Sequence, residues 1–180
     1  MSKSSCEPHS PDRMVAVSIG SNIGDRVGNL ARAVKALARL DSNAVVSSVY
    51  ETAPMYEIDQ AKFLNAIVVF TSKLEASELL DVFKVTEAEI GRKKRLANGP
   101  REIDLDLVWI DGYQSPLGAV PIVPHPRAHE RKFVLEPLNE ILPGIVLQGY
   151  GKVERLLMSE DLQGQSVDKV EDASILLSSG

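Results

Sequence analysis

Asp104 and Asp106 stand two residues apart in the run Gly99-Pro100-Arg101-Glu102-Ile103-Asp104-Leu105-Asp106-Leu107-Val108-Trp109-Ile110. Ile103, Leu105, Leu107 and Trp109 alternate with the residues between them, which is the period of a β-strand. That period puts both carboxylates on one face, roughly 6.5–7 Å apart at the backbone. Two ionised carboxylates at this separation repel by about 2–3 kcal/mol at an effective dielectric near 20. Water, a shared proton or a cation between them relieves the repulsion. A solvated strand face is the plain alternative, but Asp is disfavoured in strands and like charges at this spacing carry a penalty. From this segment alone, metal binding and simple solvation stand even.

Arg92, Lys93, Lys94, Arg95 and Arg101 form a positive island that leads straight into the acidic pair. A basic loop alone is usually a solvated segment. Beside Asp-x-Asp it favours phosphate binding, because a metal-bound polyphosphate needs hard oxygen ligands for Mg²⁺ and Arg or Lys for its remaining oxygens. Further along, two prolines fix the backbone around His125 in Val123-Pro124-His125-Pro126-Arg127. His125 can donate to a phosphate oxygen and Arg131 can clamp one. Taken alone, a turn-capping histidine and a surface arginine are the simpler explanation of these two. A third element is Thr52-Ala53-Pro54-Met55 with Phe63-Leu64-Asn65. Asn65 interrupts an apolar run, and a buried amide needs a full set of hydrogen bonds. A flat heterocycle matching its donor and acceptor would supply them, with Phe63 and Phe133 stacked on the ring. Plain core packing is the commoner fate of Phe.

These residues must be held by ordinary globular elements. The chain has 180 residues, 44% hydrophobic and 25% charged, a comfortable size for one domain. A net charge of −5 argues against a general nucleic-acid or membrane-surface binder, so an anionic ligand must be drawn by a local patch. The single Cys6 leaves no intrachain disulfide or Cys-rich zinc site and fits a reducing compartment. No apolar run nears the ~18 residues of a membrane span, and Met1–Arg13 lacks the apolar core of a signal peptide. The reading is a cytoplasmic protein with loose ends at 1–13 and about 171–180.

Alternation predicts strands over Met14–Ile19, Ala44–Tyr50, Phe63–Thr71 and the Asp-bearing segment, with Gly20-Ser21-Asn22 ending the first. Asp25 is placed to cap a helix with the stripe Val27, Leu30, Val34, Leu37 and Leu40. Ser77–Gly91 reads as a second helix with a poor start signal, Leu79, Leu80, Phe83 and Ile90 inward and Gly91 as its stop. Glu51–Lys62 and Arg92–Pro100 read as loops, Pro124–Ile141 as a loop with short helices, and Lys152–Met158 as one more short helix. The order β-α-β-β-α-β predicts an α+β, ferredoxin-like split βαβ antiparallel sheet with its helices on one face, followed by a C-terminal loop and short helices.

Together the motifs resemble one family, the 6-hydroxymethyl-7,8-dihydropterin pyrophosphokinases of folate biosynthesis. The resemblance is carried by Ile19-Gly20-Ser21-Asn22, Tyr50-x-Thr52, Phe63-Leu64-Asn65-Ala66, Glu87-x-x-x-Gly91-Arg92, Gly99-Pro100-Arg101-x-Ile103-Asp104-Leu105-Asp106, Val123-Pro124-His125-Pro126-Arg127 and Phe133-Val134-Leu135-x-Pro137-Leu138. It implies a single pyrophosphokinase domain over residues 14–160. It also implies transfer of the intact pyrophosphoryl group of ATP to the pterin hydroxymethyl oxygen, with AMP released. Asp104 and Asp106 would hold two Mg²⁺ ions. Arg92, Lys94, Arg95, Arg101, His125 and Arg131 would contact phosphates, Arg92 and Arg101 among them in a catalytic role. Glu87 and Leu107 would lie near the nucleotide. Thr52, Ala53, Met55, Phe63, Asn65 and Phe133 would surround the pterin. Three positions depart from the common pattern: Asn98 stands for a frequent Trp, Lys84 for a Gln and Val120 for an Arg in some members.

Two other classes share parts of this pattern. In a Mg²⁺-dependent nucleotidyltransferase, Asp-x-Asp follows Gly-Ser within about one helix, whereas here the whole split βαβ unit intervenes. An RNA-binding ferredoxin-like module would carry aromatic-rich central strands and a basic balance, and this chain has neither.

Overall fold

The computed structural model describes residues 11–54, 60–93 and 99–178. In chain order the elements are β1 (Arg13–Ser21), α1 (Arg26–Leu37), β2 (Val45–Val46), β3 (Val49–Thr52), β4 (Phe63–Ser72), α2 (Ala76–Ile90) and β5 (Asp104–Ile110). A 3-10 turn at Ala128–Glu130 then precedes α3 (Lys132–Ile141), β6 (Val146–Leu147), β7 (Gly151–Lys152), α4 (Val153–Leu157), α5 (Glu160–Gln163), β8 (Val167–Glu171) and α6 (Ser174–Ser178). The protein is mixed α+β. Its main sheet is antiparallel, ordered β5-β1-β4-β3-β8, with β2 also paired to β4.

Period 2 along β1 divides the core. Val15, Val17 and Ile19 point to one face and pack with Leu30, Val34 and Leu37 of α1 and with Leu79 and Phe83 of α2. This is the apolar stripe expected for α1, and Asp25 Oδ1 accepts the Gly28 N–H at 3.0 Å as its cap, a contact of about 1 kcal/mol. Ala16, Ile67, Val69 and Trp109 point to the opposite face, where they are covered by Val134, Leu135 and Leu138 of α3 and by Val153 and Leu162 of α4 and α5. Helices therefore lie on both faces, not on one, because the C-terminal helices cover apolar residues that the first two cannot reach.

Four local expectations are corrected. The strand expected over Ala44–Tyr50 is broken at Ser47-Ser48 and its second piece runs on to Thr52. Ser47 Oγ accepts the Ile67 N–H at 2.9 Å, while the Ser48 N–H and hydroxyl both donate to Glu140, at 3.1 and 2.6 Å. The Ser47 N–H still donates to the Ile67 carbonyl at 2.9 Å, so side-chain groups take over only part of the backbone ladder at this point. The chain expected to be loose from about residue 171 instead forms the end of β8, paired with β3, and α6, whose Leu176 is 3% exposed. Arg13, assigned to a loose N-terminus, already pairs with Ser72 in the sheet. Helix α2 does carry a start signal: Glu75 is its N-cap, and the Glu75 N–H donates to Glu78 Oε2 at 2.7 Å, half of a capping box built from two glutamates. Gly91 ends the helix at φ 104°, a conformation that favours glycine. Among the described residues, no helix is long and apolar enough to cross a membrane.

Candidate active site

The face of β1 that buries Ala16 becomes polar two residues later. Gly20 sits opposite Asn65 on β4 and opposite Asp104 on β5. Ser18, in the next row, sits opposite Ile67 and Asp106. Three adjacent strands therefore set Asn65, Gly20 and Asp104 side by side, about 10 Å from the first to the last at ordinary strand spacing. Gly20 and Ser21 had been expected to end the strand. They continue it, and the missing side chain at Gly20 leaves an open floor: a Cβ there would lie 3.0 Å from Asn65 Oδ1.

Above this floor is a cavity of about 340 Å³. One end holds the expected ring-binding residues. Thr52, Ala53, Phe63, Asn65 and Phe133 all line it, and the Asn65 amide donates to Thr52 Oγ1 at 2.9 Å. Asn65 and Thr52 are 3% and 6% exposed, so the carboxamide is oriented before any ligand arrives. The other end holds the charges. Arg92, Arg101, Asp104, Asp106, His125 and Arg131 line it. Arg92 donates to Asp104 Oδ1 and Arg101 to Asp104 Oδ2, each at 2.5 Å, and Arg131 lies 3.5 Å from Asp106 Oδ2. Arg101 and Arg131 also stand over the rings of Phe63 and Phe133, at 6.0 and 5.7 Å, so cations bound to the acidic pair touch the aromatic walls as well. Met55, Lys94, Arg95 and Asn98 lie outside the described residues.

Burial, reinforced by the charge of Asp104, pushes the Asp106 carboxyl above the usual carboxylate range. Arg131 opposes this push and does not outweigh the burial. Burial also holds the His125 imidazole below its usual range, against the pull of Asp106. His125 Nδ1 accepts the Arg127 N–H at 3.2 Å, which leaves Nε2 as the ring's donor. Arg131 Nε is buried without a hydrogen-bond partner among the described residues.

Glu87 is placed differently. It is 3% exposed and stands behind the cavity wall, where Oε1 accepts the Leu105 N–H at 2.8 Å and also pairs with Arg92. Leu105 is the residue between the two aspartates. Its N–H lies on the outer side of β5, an edge strand, so Glu87 covers an otherwise unpaired donor. Leu107, 4% exposed, lines a second and more apolar cleft with Leu80, Leu105, Val120, Pro121 and Ile122. The two spaces share Lys84, Asp106 and His125. Ser18, Gly20, Gln60 and Lys84 line the cavity without having been expected there. The spacing of Lys84 three residues before Glu87 on one helix was the available signal. For Gly20 it was its register against Asn65.

A sheet that offers two carboxylates among arginines, next to a slot walled by two aromatic rings, has the chemistry of a protein that grips a polyphosphate beside a flat ring. A family model described as 7,8-dihydro-6-hydroxymethylpterin-pyrophosphokinase (HPPK) matches residues 16–143. The chain is 43% identical over 127 residues to the 2-amino-4-hydroxy-6-hydroxymethyldihydropteridine pyrophosphokinase of Bacillus subtilis, covering 69% of this chain and 75% of that protein. It is 38% identical over 157 residues to the protein of the same name from Methylorubrum extorquens, covering 86% and 97%. It is also 39% identical over 141 residues to the mitochondrial folate synthesis bifunctional protein of Arabidopsis thaliana, covering 78% of this chain but 25% of that longer one. The chain belongs to the 7,8-dihydro-6-hydroxymethylpterin-pyrophosphokinase family.

Proposed function

We propose that this protein transfers the pyrophosphoryl group of ATP to the hydroxymethyl oxygen of 6-hydroxymethyl-7,8-dihydropterin, releasing AMP, as a step of folate biosynthesis. The observation that carries this reading is the joining, in one cavity, of Asp104 and Asp106 at one end with Asn65, Phe63 and Phe133 at the other. The order β-α-β-β-α-β and the antiparallel sheet support a ferredoxin-like fold, and residues 14–160 are read as one pyrophosphokinase domain. The lone Cys6 supports a cytoplasmic location.

The pterin would lie over Gly20 with its edge against the Asn65 carboxamide and its faces toward Phe63 and Phe133. Thr52 fixes the amide by accepting its N–H, so the ring meets a preset pattern. Ala53 and Met55 would complete this end. Phosphates would be met by Arg92, Arg101, His125 and Arg131, with Lys94 and Arg95 contributing from the basic loop.

The donor set suits Mg²⁺. Asp104 and Asp106 are hard oxygen ligands on one strand face, and both line the cavity. Among the described residues no cluster of three or more His, Cys, Asp or Glu could hold a metal. Two carboxylates with substrate oxygens and water are what Mg²⁺ ordinarily takes in nucleotide sites. We read two ions, held by Asp104 and Asp106. When bound they neutralise charge on the phosphate oxygens and draw electron density from phosphorus.

The remaining work belongs to the chain. Phosphoryl-type transfer depends on positioning and electrostatic stabilisation, with little need for a covalent nucleophile. Arg92 and Arg101, freed from Asp104 as it turns to a cation, would hold charge developing on the transferred group. His125 Nε2 would donate to a phosphate oxygen.

Incubating the protein with ATP, Mg²⁺ and the hydroxymethyl pterin tests the reading, with AMP as the measured product. Asp104→Ala and Asp106→Ala are each expected to abolish turnover while leaving the far-ultraviolet circular dichroism intact. Release of pyrophosphate in place of AMP, or wild-type turnover in either variant, would refute it.

A further inference from the structure

Arg131 occupies two places at once. It is the N-cap residue of α3, and its side chain is turned into the cavity. There Nη1 lies 3.5 Å from Asp106 Oδ2 and the guanidinium stands over the Phe133 ring. A guanidinium carries donors only, so it cannot accept from the first N–H groups of the helix, which have no partner within it. The acceptor comes instead from Gln165, 33 residues along the chain from Lys132. Gln165 Oε1 accepts the Lys132 N–H at 2.9 Å, and Gln165 Nε2 donates to the Glu130 carbonyl at 2.8 Å. Both ends of one carboxamide are thus used, one on each side of Arg131.

The guanidinium needs such support. Arg131 Nε is buried without a hydrogen-bond partner among the described residues, and the ion pair to Asp106 is long. Its aim is therefore set more by the backbone that carries it than by its own contacts. Gln165 is itself held. Its N–H donates to the Leu162 carbonyl at 3.1 Å, and Leu162 is buried in the same apolar layer as Val134 and Leu135 of α3. Two residues further on, Val167 pairs with Thr52 where β8 begins. Gln165 lies beyond the last of the sequence motifs, which ends at Leu138.

Resting on the reading that Arg131 meets a phosphate, we infer that Gln165 is a positioning residue for Arg131, its carboxamide fixing the two peptide groups that flank the arginine and so the place of the guanidinium in the cavity. A carboxamide suits this task because it accepts at one atom and donates at the other. A carboxylate would turn a second acceptor toward the Glu130 carbonyl, and an alkyl side chain would serve neither group.

The test is a double-mutant cycle on the full-length protein: wild type, Gln165→Ala, Arg131→Ala and the double variant, with Gln165→Glu alongside. Each is first checked for folding by circular dichroism. AMP formation is then followed in a single turnover, so that product release does not enter. Gln165→Ala is expected to slow it about tenfold in the wild-type background, but by less than about twofold once Arg131 is alanine. Gln165→Glu, which keeps the bond to Lys132, is expected to fall between wild type and Gln165→Ala; if Gln165→Ala does not fold, the same cycle is run with Gln165→Glu. The pterin KM is expected to stay near that of the wild type. An undiminished rate in Gln165→Ala, or the same fold-loss with and without Arg131, would overturn the inference and leave Gln165 a structural cap of α3. Calorimetric affinity for ATP, measured without the pterin, is expected to follow the same cycle and needs no turnover. Absence of AMP formation by the wild type would thus overturn the pyrophosphokinase reading while the ATP cycle still decides the part played by Gln165.

Discussion

Glu87 offers the sharpest test of how the site is held. Its carboxylate receives the Leu105 N–H at 2.8 Å, Arg92 and Lys84. The three donors do not count equally. Lys84 and Arg92 are partly exposed, and water replaces much of what they lose; Arg92 also keeps Asp104. The Leu105 N–H is buried on the edge of the sheet and has no such recourse. Leaving it unpaired costs about 1–3 kcal/mol, and the one methylene lost in Glu87→Ala adds about 1 kcal/mol. Glu87→Ala is therefore expected to destabilise the fold by about 2–4 kcal/mol. Glu87→Gln keeps an acceptor for Leu105 and is expected to lose about 1 kcal/mol. Urea unfolding followed by circular dichroism measures both. Because Leu105 stands between Asp104 and Asp106, AMP release under folding conditions is expected to fall further in the Ala variant than in the Gln variant. Equal stability of the two variants, or a wild-type urea midpoint for Glu87→Ala, would refute the claim that this amide is what Glu87 secures.

Gly20→Ala puts a methyl 3.0 Å from Asn65 Oδ1; KM for the pterin is expected to rise by about tenfold, or 1.4 kcal/mol, while a pterin KM equal to the wild type would mean that the floor is not where the ring lies. Leu176→Ala is expected to destabilise by about 2–3 kcal/mol, read as a fall in the thermal midpoint, because α6 packs on the core. The Asn43 and Thr71 N–H groups hold the Asp41 carboxyl below its usual range of 3.8. A depressed folded-state value stabilises above the unfolded value and is lost as pH falls through the folded one. The stability gap between wild type and Asp41→Ala should therefore be present at neutral pH and close below about pH 3.8; acid unfolding curves that stay a constant distance apart would contradict this.

What the sequence made legible was periodic or local. Alternation around Asp104 and Asp106, the α1 stripe and the Asp25 cap each depend on residues within a few positions of one another, and they formed as expected except at their ends: an irregularity in the β1–β5 register turns Trp109 to the face opposite Leu105 and Leu107, and Leu40 lies past the end of α1. What escaped depended on distant partners. The break at Ser47-Ser48 is explained by Glu140, some ninety residues away, and the order in α6 by an apolar face of α1 available only after folding. Spacing placed the two aspartates on one face. It did not reveal that two arginines would brace Asp104 while Asp106 is left with a distant one. Nor did it give Gly20 a part in the site, since a residue with no side chain shows its purpose only through what lies across the sheet.

The same side of β1 that seats Ala16 in the core carries Ser18 and Gly20 beneath the cavity. Sliding β5 along β1 by a single residue would turn both aspartates into the oily layer under the first two helices and send Leu105 and Leu107 to the site. Such a misalignment would forfeit its packing as well as its chemistry. The alignment that makes the protein competent is thus also the one its hydrophobic interior enforces, and a near-native but inert version of this sheet has no stable place to settle.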